Sequence, residues 1–193
     1  MTQVQCRQCH ARVASYDTVH AGSIEAGYRD LCSRCFNVEM ARIGQLEFEQ
    51  VSFQPVDIPD AAGVKRRFHF RLLHLGDRVM LEAFEVRVGE RGGYEFQILG
   101  DAEADLFELM TRLVERMRRA LALRHLVDDD LVGSSIADKI VRARISCDLD
   151  SDDHVPMLVI DGREVSWEQF GQMLMTFEGW QFKLQMKDPT EEV

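Results

Sequence analysis

The chain has 193 residues, enough for one hydrophobic core of ordinary size or for two small domains. Hydrophobic residues make up 46% and charged residues 29%, which excludes a disordered or fibrous protein. Residues 1–125 carry 17 basic and 18 acidic side chains, whereas residues 126–193 carry 6 and 15, so the acidic last third disfavours binding to nucleic-acid phosphates.

Four of the five cysteines lie near the amino terminus in two C-x2-C pairs, Cys6 with Cys9 and Cys32 with Cys35. Each pair places two sulfurs on one side of a tight loop, and two such loops together form a tetrahedral cage. Thiolates favour Zn²⁺, with iron as the main competitor. Disulfides and a redox C-x-x-C are the alternatives, and a reducing cytosol and the doubled spacing disfavour them. Four sulfurs leave no position for water, so we predict a structural zinc.

Two histidines lie close enough in sequence to replace a cysteine ligand. His10 directly follows Cys9 and is expected to point away from the cage, and His20 lies in the segment between the two pairs. We interpret both as surface or supporting residues, and a contribution of either to the metal site stays open.

The segments around the cysteines predict a specific geometry. Residues 11–31 are interpreted as a hairpin, and residues 36–43 are compatible with a helix that Gly44 would end. A cysteine turn, a hairpin and a second cysteine turn that opens a helix resemble the treble-clef zinc finger over about residues 4–44. The resemblance implies Cys6, Cys9, Cys32 and Cys35 as ligands. Treble clefs serve proteins, nucleic acids or structure alone, so it implies a fold and no single activity.

The central region predicts a sheet followed by a helix. A strand is expected over residues 46–53, a loop over 55–63, and then an antiparallel meander over 68–98 with a bulge near Ala83. A long helix follows, with Asp101 as its N-cap. Its expected buried stripe consists of Phe107, Met110, Val114, Met117 and Leu121.

The last third predicts a second, smaller unit. A loop is expected over 127–135, then a strand over 140–147 that buries Cys147 as a core residue rather than a nucleophile, and a strand over 157–160. The Asp161-Gly162 turn and the Ser166/Gln169 capping box come next, in front of a helix. A half-buried strand over 180–186 is expected to close the unit.

Two further patterns in this third have plain interpretations. Asp148, Asp150 and Asp152 follow the start of a calcium loop but lack its glycine and its final glutamate, so we interpret them as a solvated turn. Trp167 and Trp180 could line a ligand groove, although we expect them to be buried anchors.

Three stretches together resemble an uncharacterised bacterial family with an amino-terminal four-cysteine finger. They are LCSRCFN at 31–37, FHFRLLHLGDRVMLEAFE at 68–85 and WEQFGQMLMTFEGWQFKL at 167–184, of which the last is the most specific. The resemblance implies a bacterial cytosolic protein and carries no activity with it.

The motifs of common enzymes do not occur, including metalloprotease, nucleophile-elbow and phosphate-binding sequences. His69 and His74 point to opposite faces of a strand and cannot share a metal. His69 beside Arg71 could form an anion-binding face, although a solvent-facing histidine is the plainer interpretation. Two basic clusters, at 65–67 and at 116–119, are interpreted as solvated.

The sequence thus predicts an α+β protein in three parts. These are a treble-clef-like zinc module at 1–45, an antiparallel sheet with a long helix at 46–127, and a ββαβ-like unit at 136–187 that either stands alone or shares the central core. The leading hypothesis is a cytoplasmic zinc-binding adaptor that acts through protein contacts, with no membrane role and nucleic acid disfavoured. A nucleic-acid-associated regulator and an enzyme without a local motif are the alternatives.

Overall fold

The computed structural model describes residues 2–25, 27–47, 49–129, 133–147 and 155–191. Within them the fold is α+β, with antiparallel sheets and three α-helices. The buried hydrophobic side chains of these residues form three clusters, one in each third of the chain. The helices of the described residues include none long and apolar enough to cross a membrane.

The first third consists of two hairpins and a helix. Strand β1 pairs with β2 and β3 pairs with β4, both antiparallel. The bounds are β1 Gln3–Gln5, β2 Arg12–Ala14, β3 Thr18–Ser23, β4 Gly27–Cys32 and α1 Ser33–Gly44. Helix α1 includes Gly44 and ends at Gln45, which adopts the left-handed conformation (φ 54°) that we expected a glycine to supply. We name residues 2–44 the finger.

The central third is a four-stranded antiparallel sheet in the order β5-β6-β7-β8, covered on one face by helix α2. The bounds are β5 Val56–Pro59, β6 Lys65–His74, β7 Arg78–Arg87, β8 Glu90–Asp101 and α2 Leu106–Leu121. The meander is present as predicted, and its register shifts between Phe84 and Val86, next to the position expected for the bulge.

Three details of this region differ from the prediction. The strand expected over 46–53 does not form in its described residues, and β5 lies instead within the expected loop. Asp105 caps α2, because Asp101 is still the last residue of β8. Phe107 is 79% exposed and lies outside the buried stripe, whereas Met110 and Val114 are half-buried against the core. That stripe recurs every four residues and consists of Leu109, Leu113, Met117 and Leu121.

The last third contains a hairpin, a three-stranded sheet in the order β11-β12-β13, and a short helix. The bounds are β9 Leu126–Asp129, β10 Gly133–Ile136, β11 Arg144–Cys147, β12 Pro156–Ile160, β13 Arg163–Ser166 and α3 Trp167–Leu174. Asp161 and Gly162 both have positive φ, as a type I′ turn requires, and the predicted capping box opens α3. A 3₁₀ turn over Met175–Phe177 extends the helix.

Four expectations for this third are wrong. The stretch expected as a loop contributes β9 and β10, and Cys147 is exposed rather than buried. Trp167 and Trp180 are at least half exposed, so they are not buried anchors. The expected closing strand does not form, and residues 180–186 belong to no helix or strand. The acidic turn at Asp148, Asp150 and Asp152 lies outside the described residues.

Candidate metal centre

The first cysteine pair lies in the tight loop that joins β1 to β2. The Cys6 N–H donates to the Ala11 carbonyl oxygen at 2.9 Å, and the His10 N–H donates to the Cys6 carbonyl oxygen at 3.0 Å. His10 has a φ of 60°, in the left-handed region, which lets the chain reverse directly after Cys9. Both sulfurs therefore emerge from one side of a closed turn.

The second pair lies where β4 passes into α1. Cys32 is the N-cap residue, and its sulfur accepts the Cys35 N–H at 3.5 Å. Cys35 lies in the first helical turn, where backbone N–H groups lack partners within the helix and the helix dipole favours negative charge. The local structure thus directs both thiols to one place.

The two pairs converge, because the Arg7 N–H donates to the Asp30 carbonyl oxygen at 2.8 Å and joins the first loop to β4. All four sulfurs lie within 4.8 Å of one another, and those of Cys9 and Cys32 are 3.9 Å apart. A tetrahedral zinc with Zn–S bonds of about 2.3 Å separates its sulfurs by about 3.8 Å. No disulfide joins the described cysteines, so the geometry fits a metal cage.

Burial makes the thiolates of Cys6, Cys32 and Cys35 costly without a cation, whereas Cys9 is exposed. Burial raises the pKa of Cys35, and the neighbouring sulfurs raise it further. Burial also raises the pKa of Cys32. At Cys6 burial opposes ionisation too, but hydrogen bonds from backbone groups of Cys9, Cys32 and Gln8 outweigh it and lower the pKa to about 6. A divalent cation at the centre would compensate the charge that these sulfurs carry when ionised.

Neither histidine belongs to the sulfur cluster, which among the described residues consists of the four cysteines alone. The His20 ring stacks on Tyr28 with centroids 4.9 Å apart, and its Nδ1 lies 2.9 Å from Asp30 Oδ1. Four sulfurs complete a tetrahedral shell, so a metal held here would lack the open position that catalysis by a metal requires.

The finger is fixed to the central sheet by a charged network that sequence analysis missed. The buried carboxylate of Glu82 accepts from Arg71 at 2.7 Å and from Arg91 at 3.0 Å. Both guanidinium groups also donate to the Tyr16 carbonyl oxygen, at 3.3–3.4 Å. Arg71 further donates to the Thr18 carbonyl oxygen at 3.1 Å. Two ion pairs on the sheet thus hold the backbone of the finger.

The ring of Tyr16 adds an apolar contact to this interface. Its centroid lies 5.4 Å from that of His69 and 5.9 Å from that of Phe84. Burial, together with the charge of Arg67, lowers the pKa of His69. The face of β6 that carries His69 and Arg71 is therefore covered by the finger, and the anion that Arg71 binds is the chain's own Glu82. The sequence did contain a signal for this interface, since Arg71 on β6 and Glu82 on β7 are opposite charges within largely apolar strands.

Asn37 of α1 forms a second connection. Its amide nitrogen donates to the Leu72 carbonyl oxygen at 2.8 Å, and its amide oxygen accepts the His74 N–H at 2.9 Å. Strand β5 pairs with β6 only as far as Phe68, so the outer edge of β6 beyond that point is open to this side chain. The buried Asn37 amide thus makes two of the hydrogen bonds that a neighbouring strand would make at this sheet edge.

Each of the two basic clusters, at 65–67 and at 116–119, contains an arginine that contacts other parts of the chain. Arg66 pairs with Asp60 at 2.8 Å, and Glu85 lies 3.7 Å away. Arg116 donates to the carbonyl oxygens of Gln97, Pro189 and Glu191. The sequence predicts that both clusters are solvated, but these two arginines make internal structural contacts.

Three family models match the chain, and each is described only as a domain of unknown function. They are DUF7685 over residues 5–43, DUF7686 over residues 49–122 and DUF7713 over residues 125–191. No curated protein and no solved structure matches the chain. The first match contains all four clustered cysteines, and none of the three descriptions names a biochemical activity.

Proposed function

We propose that the four cysteines bind one Zn²⁺ ion in a treble-clef-like finger, and that the outer face of this finger binds another protein. The chain is then a zinc-stabilised adaptor with no catalytic metal. The observation that carries the proposal is the closed set of four sulfurs on a finger anchored to a sheet. A reducing compartment such as the cytoplasm suits four unpaired thiols.

The order of elements supports the treble-clef-like assignment. A cysteine loop between two strands comes first, a second hairpin follows, and a helix that begins at the second cysteine pair ends the finger. The ion would be held by Cys6, Cys9, Cys32 and Cys35, and it would supply the cross-link that so small a core lacks.

The outer face supports a protein partner. A cavity of about 460 Å³ lies between β4 and α1 and is lined by Gln8, Arg29, Val38, Glu39 and Arg42. Elsewhere on the same two elements, Tyr28 of β4 and Ile43 of α1 are more than half exposed. Apolar side chains among paired charges are typical of protein interfaces, in which arginine and tyrosine are enriched.

Charge disfavours nucleic acid as the partner. The finger holds five arginines and four carboxylates, and zinc with four thiolates adds a formal −2. The internal contacts of Arg66 and Arg116 remove two further cations from the surface available to phosphates. A phosphate backbone needs a cationic surface that this finger does not provide.

Site-specific photo-cross-linking in cells tests the proposal. A photoreactive residue at Val38, which is 42% exposed, should give a discrete protein adduct. The same residue at Val56, which is 43% exposed on β5, is the matched control and should give none. The adduct should disappear when Cys32 is also changed to serine, and elemental analysis should find zinc in the unchanged chain.

Two results would contradict the proposal. One is equal labelling at Val38 and Val56, which would mean that the outer face selects no partner. The other is saturable, salt-sensitive binding of random duplex DNA or RNA to the purified chain at low ionic strength, which would favour the nucleic-acid alternative.

A further inference from the structure

The segment Trp180–Met186 exposes an unusual amount of apolar surface. Its side chains alternate between apolar and polar, with period two as in a strand, yet it belongs to no sheet of the described residues. The exposed fractions are 62% for Trp180, 81% for Phe182, 67% for Leu184 and 64% for Met186. The residues between them are Gln181, Lys183 and Gln185. The sequence is thus suited to a strand that has no partner within the described chain.

The segment is tethered at both ends. The Trp180 N–H donates to the Phe177 carbonyl oxygen at 2.9 Å, and the Lys139 ammonium lies 5.4 Å from the centroid of the indole ring. At the other end Arg116 donates to the Pro189 carbonyl oxygen at 2.9 Å and to that of Glu191 at 2.6 Å. A segment fixed at both ends loses less conformational entropy on binding than a free tail does.

The exposed area is suited to a small dimer interface. An aromatic side chain buries about 150–250 Å², so four large side chains at these exposures present about 500 Å² per chain. A typical monomer rarely exposes a contiguous apolar patch larger than a few hundred Å². Two copies together would contribute about 1,000 Å², which is the lower bound for a specific interface.

We propose that two copies of this chain associate through Trp180–Met186, with the two segments antiparallel about a two-fold axis at Lys183. This register places Trp180 opposite Met186 and Phe182 opposite Leu184 of the second copy, so every apolar side chain meets an apolar one. An axis at Phe182 would place Met186 opposite Glu178, and an axis at Leu184 would place Trp180 opposite Asp188. The pairing is isologous and closes after two copies. It goes beyond the adaptor role, which concerns the finger.

The register has one unfavourable pair, because Lys183 faces its own copy across the axis. Like charges directly opposite in an antiparallel pair are destabilising. The change Lys183→Thr removes this repulsion and introduces a residue that favours strands, so it should strengthen the dimer. Added salt should strengthen the wild-type dimer for the same reason, because it screens the two ammonium groups.

Sedimentation velocity over a range of concentrations tests the proposal. The wild-type chain should be a dimer, and Phe182→Asp should raise its dissociation constant by about 100-fold or more, as for a central apolar contact. Phe107→Asp is the matched control, because Phe107 is 79% exposed but lies on α2. That change should leave the dissociation constant as it is.

A wild-type monomer at every concentration would overturn the proposal. A dimer that persists in Phe182→Asp, or one that is lost equally in Phe107→Asp, would also do so. Because Phe182 is mostly exposed, the melting temperature of the Phe182→Asp chain, compared under conditions where both chains are monomeric, should match that of the wild type. If the two melting temperatures differ, the association of Lys183→Thr becomes the deciding measurement. Weaker association in that variant would contradict the pairing about Lys183.

Discussion

Glu82 illustrates how a single residue joins two parts of this chain. Its carboxylate lies buried between Arg71 and Arg91, which in turn hold the backbone of Tyr16. Removing three charges from water is costly, and the hydrogen bonds among these groups offset that cost only while all three are present.

The change Glu82→Ala should therefore be strongly destabilising, because it leaves two guanidinium groups in a buried site without their anion. We expect a loss of about 3–5 kcal/mol in the free energy of unfolding, measured by urea denaturation at neutral pH. Glu39→Ala is the control, since Glu39 pairs with Arg29 at the surface and such pairs contribute less than about 1 kcal/mol. Equal losses in both variants would contradict the central role of Glu82.

Acid should reduce the difference between the wild type and Glu82→Ala. Burial raises the pKa of Glu82, but the hydrogen bonds and charges of Arg91 and Arg71 outweigh it, so the folded pKa lies below its ordinary value. The contribution of Glu82 is thus fully present above the unfolded pKa of about 4.3 and is lost as the pH falls through the lower folded value. Urea denaturation repeated in acidic buffers measures this convergence, which a purely steric role of Glu82 would not produce.

At the scale of elements, hairpins whose turns carry their own conformational signal agree with prediction. Asp161 and Gly162 form the turn between β12 and β13, and Asp161 Oδ2 accepts from the backbone N–H groups of His125 and Leu126 at 2.8 Å. This turn therefore also holds the chain that enters β9. A Cβ added at Gly162 would lie 2.7 Å from Tyr94 Cδ2, a ring atom packed between sheets.

Two matched glycine substitutions separate backbone strain from this close contact. Gly162 and Gly63 have φ of +69° and +78°, but a Cβ at Gly63 would meet nothing within 4 Å. Gly63→Ala should cost about 1–2 kcal/mol through the left-handed conformation alone. Gly162→Ala should cost more, because Tyr94 must also move. Thermal and urea denaturation of both variants measure the difference, and equal costs would show that the Tyr94 contact contributes nothing.

The elements that prediction missed are those decided by distant partners. Helix α2 offers two overlapping apolar stripes, and its packing against the sheet buries Leu109 and Leu113 most deeply, while Val114 is half-buried and Phe107 stays exposed. Alternation at 180–186 predicts a strand, but a strand also needs an edge to pair with, which local pattern does not reveal.

For the whole molecule, the clustering of the four cysteines was predictable from the sequence, whereas the attachment of the finger to the sheet was not. The clustering of four cysteines follows from two short loops whose spacing is visible in the chain. The contacts between Tyr16 and Arg71 or Arg91 span 55 and 75 residues, and no local rule relates such positions. That the three parts fold separately stays a prediction.

The change Cys32→Ser tests that division together with the metal site. It should lower bound zinc and expose residues 1–45 to protease, because zinc binding supplies on the order of 10 kcal/mol to small modules of this kind. Residues 46–191 should stay resistant if the later parts fold without the finger. Cys147→Ser is the control, since Cys147 lies outside the cluster and should affect neither result. Full zinc content and unchanged protease resistance in Cys32→Ser would show that the ligand set is wrong.

The contact of Asn37 with β6 has a consequence for the newly made chain. An unpaired strand edge is a template on which other chains can aggregate, and α1 shields the part of the β6 edge that β5 leaves open. Synthesis proceeds from the amino end, so the finger leaves the ribosome before β6 does. A finger that captures its ion during translation would therefore be ready to shield the edge as soon as the sheet forms.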